Sequence, residues 1–108
     1  MSIYPITRYV YEGVPIVGVT FNNRQEAIHK MELDEVIQLV REPNNAYDPN
    51  AIQVKRLTGE EIGYIPRYMA EDIAPLMDVY GPIVYGTVSW LMGVEVRGVR
   101  VKFEIPTE

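Results

Sequence analysis

The dipeptide Tyr47-Asp48 places an aromatic ring directly before a carboxylate, and this pair offers the most suggestive chemistry in the sequence. It lies in a polar, turn-forming loop between two apolar segments, residues 35–41 and 50–57. A ring can stack on a flat ligand and a carboxylate accepts hydrogen bonds. A second interpretation stays open: the side chains of Asn44, Asp48 and Asn50 satisfy the turn backbone, and Tyr47 packs over the end of the fold.

No arrangement of residues typical of an enzyme is visible. His29 is the sole histidine and there is no cysteine, which excludes a Cys/His metal site and a thiol nucleophile. Glu60 and Glu61 are adjacent, so in a strand they point to opposite faces and cannot act as a carboxylate pair. Asp48 opens a segment like a calcium loop, but Gln53 stands where that loop requires glycine. We therefore expect a binding module that is not an enzyme, with no metal and no cofactor.

The composition is that of a folded domain. The chain has 108 residues, of which 47% are hydrophobic and 23% charged, values close to those of globular proteins. We expect a single domain over residues 1–108, with residues 1–13 as an N-terminal extension. The absence of cysteine favours a cytoplasmic location, and the absence of an 18-residue apolar run argues against a membrane span.

The net charge of −5 argues against a protein that grips duplex DNA through a broad basic surface. Any nucleic-acid binding must therefore be local. Arg97, Arg100 and Lys102 lie close together near the C-terminus. They are either a small basic patch or charges that protect a strand edge.

Alternating or continuous apolar residues predict five or six strands, over residues 14–21, 35–41, 50–57, 61–66, 84–90 and 99–105. Thr58-Gly59-Glu60 is the short glycine-containing connection expected of a hairpin. Asn22 and Asn23 are expected to cap a short helix through Gln25, Ala27 and Ile28. Gly98 breaks the alternation, which indicates a bulge or a second turn there.

From Arg67 the apolar period changes to that of a helix. Met69, Ile73, Leu76 and Met77 share one helix face, and Gly81-Pro82 ends the element. The fold class predicted is therefore mostly β (α+β). Its architecture is a small, OB-like, partly closed β-barrel, with one main helix between the fourth and fifth strands and one short helix.

An ordered set of motifs between residues 17 and 78 resembles the HIRAN domain family. The motifs are residues 17–21, 24–28, 41–52, 62–67 and 70–76. HIRAN domains are found at the N-terminus of DNA-remodelling, helicase-like proteins and as free-standing bacterial or phage proteins. The resemblance implies a modified OB-like barrel that binds the free 3′-hydroxyl end of single-stranded DNA, in a DNA repair or replication context.

The resemblance also implies roles for individual residues. Tyr47 matches the residue that stacks on a base, and Asp48 matches the carboxylate that accepts a hydrogen bond from the terminal 3′-hydroxyl. Phe21 matches a second aromatic of the DNA site, and Thr20 lies beside it at a further DNA-binding position. Asn45 matches a polar residue of the pocket, and Arg67 matches a residue that contacts a phosphate. The chain departs from the family at Thr20, where the DNA-binding member has a basic residue, and at Ala46, where proline is usual.

A carboxylate repels phosphate but accepts a hydrogen bond from a hydroxyl, so an aromatic next to Asp suits chain ends better than chain interiors. The expected partners are single-stranded DNA 3′ ends and, further, other DNA-processing proteins; the sequence does not set the oligomeric state. One alternative is a protein-interaction or assembly module, motivated by the net charge and by tyrosines outside the motifs, Tyr4, Tyr9, Tyr11, Tyr80 and Tyr85. A metal-dependent nuclease is a further alternative, based on acidic residues near the DNA site.

Overall fold

The computed structural model describes residues 7–107, which form six strands and two helices. In chain order these are β1 (Arg8–Pro15), α1 (Arg24–Ile28), β2 (Val36–Arg41), β3 (Ile52–Arg56), β4 (Glu61–Tyr64), α2 (Arg67–Tyr80), β5 (Ile83–Met92) and β6 (Gly98–Pro106). The strands form one antiparallel sheet in the order β1-β6-β5-β2-β3-β4. The prediction of a mostly β fold, with its main helix between the fourth and fifth strands, is confirmed.

The sheet curls until its two ends meet at one point. Just after β1, the backbone N–H groups of Val17 and Tyr64 each donate to the other residue's carbonyl at 2.9 Å. This isolated bridge joins the segment after β1 to β4, the strand at the opposite end of the sheet. The architecture is therefore compatible with the predicted partly closed barrel.

The core lies between the concave face of the sheet and α2. Its largest fully buried side chains are those of Ile28, Ile37, Leu39, Ile52, Ile62, Ile73, Met77 and Ile105. Each such side chain contributes roughly 1.5–3 kcal/mol through removal from water. The predicted helix face is largely correct, because Ile73 and Met77 are buried and Met69 and Leu76 pack against the core at its margin.

The predicted N-terminal extension over residues 1–13 is wrong for residues 8–13, which belong to β1. Residues 8–11 pair with β6, and the register shifts between Tyr11 and Val14. Residues 1–6 lie outside the described part of the chain. Tyr9 and Tyr11 turn inward from β1, and Tyr11 stacks on Phe103 of β6 with ring centroids 5.0 Å apart. The aromatic side chains therefore dock this strand.

The strand predicted over residues 14–21 overlaps the observed β1 only at Val14 and Pro15. Regular pairing ends at Pro15, and after the single bridge at Val17 the chain turns. The predicted asparagine cap is also wrong: Asn23 precedes α1 with a φ of 61°, and its side chain makes no capping hydrogen bond. Asn22 is likewise left-handed, with a φ of 54°, so both asparagines reverse the chain instead.

The irregularity predicted at Gly98 lies elsewhere. In the β5–β6 pair the register shifts between Val88 and Trp90 on β5, which leaves Ser89 as the extra residue. Gly98 pairs regularly with Met92 and begins β6 after a loop over residues 93–97. The alternative prediction, a second turn at Gly98, is therefore also wrong, because the chain reverses in the loop before this residue.

Candidate nucleic-acid interface

Asn45 shapes the loop between β2 and β3 that carries Tyr47 and Asp48. Its Oδ1 accepts hydrogen bonds from the backbone N–H groups of Tyr47 at 2.9 Å and Asp48 at 3.1 Å. Its Nδ2 donates to Glu42 Oε1 at 3.0 Å. The amide predicted to line a ligand pocket is thus engaged with its own loop, and it holds the two following residues in a tight turn.

The two oxygens of the Asp48 carboxylate have different neighbours. Its Oδ1 accepts the backbone N–H of Asn50 at 2.9 Å, as the turn interpretation predicted. Its Oδ2 lies 3.7 Å from Nε of Arg67, and the side chain is 17% exposed. Because a carboxylate offers about four lone-pair sites, this group can still accept a hydrogen bond from a ligand hydroxyl.

Tyr47 projects into solvent. Its exposed fraction is 89%, which contradicts the interpretation that its ring packs over the end of the fold. A large aromatic side chain this exposed gains little from the folded state itself, and its surface is accessible to a partner.

Arg67 is the first residue of α2, and 74% of its side chain is exposed. Its guanidinium and the N-terminal end of the helix dipole both favour a negatively charged ligand beside Asp48. The structure therefore places Arg67 beside the Asp48 carboxylate, and Asn45 against the backbone of Tyr47 and Asp48.

Thr20 and Phe21 lie in the turn after the Val17 bridge, and both are exposed, Phe21 to 65%. The Phe21 backbone N–H donates to the Gly18 carbonyl at 3.3 Å. Among the hydrogen bonds and ion pairs of residues 7–107, none joins Thr20 or Phe21 directly to the Tyr47 loop. The two turns are connected through other residues.

Tyr64, for which the sequence suggested no role, supplies that connection. Its hydroxyl donates to Glu42 Oε1 at 2.8 Å, while the Arg24 guanidinium lies 5.3 Å from its ring centroid. Arg24 in turn donates to the Gly18 carbonyl at 2.7 Å. Burial, followed by the hydrogen bond to Glu42, raises the pKa of Tyr64 to about 12, so the phenol remains a donor at neutral pH.

Arg41, at the end of β2, is a second residue that the sequence analysis missed. Its side chain is 4% exposed and forms a two-pronged ion pair with Asp78 of α2, at 2.8 and 3.2 Å. It also donates to the Ala51 carbonyl at 3.0 Å, and the Ala51 N–H donates to the Asp48 carbonyl at 3.1 Å. The base of the loop is thereby attached to α2.

Two depressions in the surface lie away from Tyr47. One of about 740 Å³ crosses β1, β5 and β6 and includes Tyr80 and Tyr85, two of the tyrosines outside the motifs. One of about 230 Å³ lies beside the Phe21 turn, lined in part by Arg24 and Glu61. Tyr47 and Asp48 line neither depression.

Within residues 7–107, no cluster of three or more His, Asp or Glu side chains could hold a metal ion. His29 is exposed, and its Nε2 lies 3.0 Å from the Glu95 carbonyl oxygen. Neither helix in this part of the chain is both long and apolar enough to cross a membrane.

The sequence profile of the HIRAN domain matches residues 9–105, a longer span than the motifs alone indicated. The chain belongs to the HIRAN domain family. The match includes β1, which explains why the predicted extension is part of the fold.

Relatives carry a HIRAN-like segment within much longer proteins. The helicase-like transcription factor of Oryctolagus cuniculus is 40% identical over 58 residues, covering 49% of this chain and 6% of that protein. A Fanconi-associated nuclease 1 homolog of Arabidopsis thaliana is 35% identical over 74 residues, covering 68% of this chain and 8% of that protein. The HIRAN chain thus spans less than a tenth of either relative.

Solved structures share the fold over almost the whole chain. A protein from Lactobacillus plantarum superposes with a TM-score of 0.74 at 28% identity, covering 91% of this chain and 96% of that one. The HIRAN domain of human HLTF superposes with a TM-score of 0.67 at 22% identity, covering 94% and 82%. The six-stranded arrangement is therefore that of known HIRAN domains.

Proposed function

We propose that this HIRAN chain binds single-stranded DNA at a free 3′-hydroxyl end. Tyr47 stacks on the terminal base, and Asp48 accepts a hydrogen bond from the 3′-hydroxyl. Arg67 contacts the preceding phosphate. The observation that carries the proposal is the 89% exposed Tyr47 next in sequence to a carboxylate whose Oδ2 lies 3.7 Å from Arg67 Nε.

Relatives support a DNA partner. HIRAN segments occur in proteins named a helicase-like transcription factor and a Fanconi-associated nuclease, which supports a role in DNA repair or replication. We assign the chain a binding function. The exposed residues of the site can stack on a base, accept a hydrogen bond and attract a phosphate, but they include no activated nucleophile.

The chemistry of Asp48 favours an end over an interior position. A nucleotide inside a strand carries phosphate on its 3′ oxygen, and that negative charge would approach a carboxylate. A terminal hydroxyl instead donates a hydrogen bond to the same carboxylate, in the strong charge-assisted class. The same reasoning disfavours a 3′-phosphorylated end.

Few cations support the site. The guanidiniums of Arg24 and Arg41 are committed to internal partners, whereas that of Arg67 is exposed. Binding must then depend on stacking, which supplies roughly 1–3 kcal/mol per base and tolerates any sequence. The exposed ring of Phe21 and the neighbouring Thr20 give a second base a place to bind on the adjacent turn.

A comparison of a linear oligonucleotide with its circular form tests end recognition. The two molecules share sequence, length and phosphate charge, but the circle has no 3′-hydroxyl. We expect fluorescence anisotropy to give a dissociation constant about tenfold or more weaker for the circle, the size of one charge-assisted hydrogen bond.

Equal affinity for linear and circular DNA would overturn end recognition while leaving single-strand binding in place. Binding to neither form would favour the alternative role as a protein-interaction module. In that case the exposed Tyr85 and Ile83 of the β1, β5 and β6 depression would be the first residues to substitute.

A further inference from the structure

A continuous chain of side-chain contacts links the turn that carries Phe21 to the loop that carries Tyr47. We call its four members, Arg24, Tyr64, Glu42 and Asn45, the linking chain. The two segments it joins are far apart in sequence. End recognition requires a ring and a carboxylate in fixed relative positions. The contacts that order these two segments therefore affect binding directly.

The first half of the linking chain holds the Phe21 turn. Arg24 is 6% exposed, and its Nη1 donates to the Gly18 carbonyl, which also accepts the Phe21 backbone N–H. Its Nη2 donates to Glu61 Oε1 at 3.3 Å. The guanidinium lies over the Tyr64 ring, so this buried cation connects the turn to β4.

The second half holds the Tyr47 loop. Glu42 Oε1 accepts two hydrogen bonds, from the Tyr64 hydroxyl at 2.8 Å and from Asn45 Nδ2 at 3.0 Å. With its amide oriented this way, Asn45 presents Oδ1 to the N–H groups of Tyr47 and Asp48. An acceptor oxygen is needed at position 42, because both of its partners are donors.

We propose that Tyr64 and Glu42 are positioning residues, which fix the Phe21 turn and the Tyr47-Asp48 loop in a single frame without contacting the terminal nucleotide. This inference rests on the proposed 3′-end recognition. It assigns Glu42 a specific purpose: a carboxylate beside a DNA site is unfavourable for phosphate, but here it is occupied by two donors from the protein.

Amide hydrogen exchange without DNA tests the linking chain independently of any ligand. In Tyr64→Phe and Glu42→Ala, the Tyr47 and Asp48 amides should exchange about fivefold to thirtyfold faster, the effect of losing one to two ordinary hydrogen bonds. Glu42→Gln should restore slow exchange, because its Oε1 still accepts from both donors. Tyr85→Phe, which removes a hydroxyl from an exposed tyrosine outside the linking chain, is the matched control.

The same variants should also lose end discrimination. We expect Tyr64→Phe and Glu42→Ala to bind a free 3′ end about fivefold to thirtyfold more weakly, and the ratio of affinities for hydroxyl and phosphate ends to fall. Glu42→Gln and Tyr85→Phe should retain both the affinity and the ratio.

Unchanged exchange and an unchanged ratio in Tyr64→Phe and Glu42→Ala would overturn the positioning role, even if the wild-type chain binds ends. If the wild-type chain binds no DNA but the exchange rates change as expected, the proposed function fails and the ordering of the loop by Tyr64 and Glu42 stands.

Discussion

Replacing Tyr47 with alanine should weaken binding of a free-ended oligonucleotide by about fivefold to 150-fold, the value of one stacked base. The ring is 89% exposed, so the substitution removes almost no intramolecular packing. The free energy of unfolding should change by no more than about 0.5 kcal/mol, as for other surface substitutions. Fluorescence anisotropy and a melting curve on the same sample measure both effects.

Tyr47→Phe is the matched control, because it keeps the aromatic face and removes only the hydroxyl. It should bind within about twofold of wild type if stacking dominates. Equal weakening by phenylalanine and alanine would show that the hydroxyl matters and that stacking does not explain the contact.

Replacing Gly63 with alanine should destabilise the fold strongly. Its φ is +156°, and an added Cβ would lie 2.4 Å from the Val17 carbonyl oxygen and 2.8 Å from Cγ2 of buried Ile16. The Val17 carbonyl accepts the Tyr64 N–H at 2.9 Å, so moving it away from the added Cβ would weaken the bridge between the segment after β1 and β4. We expect a loss of about 3 kcal/mol or more, from overpacking and strain together.

Gly13→Ala separates the two causes. Gly13 also has a left-handed φ, +61°, but an added Cβ would meet nothing within 4 Å. The Gly13→Ala substitution should lower the free energy of unfolding by about 1–2 kcal/mol, from backbone strain alone. At about 4–8 °C per kcal/mol, the melting temperatures of the two variants should differ by several degrees or more. Similar losses would contradict the role assigned to the Val17 contact.

Local sequence patterns were sufficient for most elements of the fold. Helix α2 follows from the spacing of Met69, Ile73 and Met77, and the β3–β4 hairpin follows from Gly59 between two apolar runs. These elements lie in the same region of the chain as the motifs. They were predictable because the residues that define them are neighbours in sequence.

Strand β1 was missed because its pairing is distant and its pattern is ambiguous. Val10 is exposed whereas Tyr9 and Tyr11 face inward, so large apolar side chains occur on both faces. The partner strand begins at Gly98, at the far end of the chain. Propensity alone does not identify a strand whose stability comes from that remote contact.

In the site, the sequence indicated Tyr47 and Asp48 but not what holds them. The Arg41 ion pair spans 37 residues and the Tyr64 hydrogen bond spans 22. Such contacts depend on the register and curvature of the sheet, which no local pattern specifies. Asn45 differs: it was expected to face a ligand, but it bonds to Glu42, Tyr47 and Asp48, all within three residues, as is typical of asparagine in a tight turn.

The most direct test of end recognition compares one oligonucleotide with a 3′-hydroxyl and the same oligonucleotide with a 3′-phosphate, titrated against wild type and Asp48→Asn at one salt concentration. Asparagine keeps an acceptor for the Asn50 N–H, so the loop should survive the change. We expect wild type to bind the phosphate end about tenfold or more weakly, because a second negative charge meets the carboxylate, and the ratio to shrink in Asp48→Asn. Equal affinity of wild type for the two ends would contradict the account.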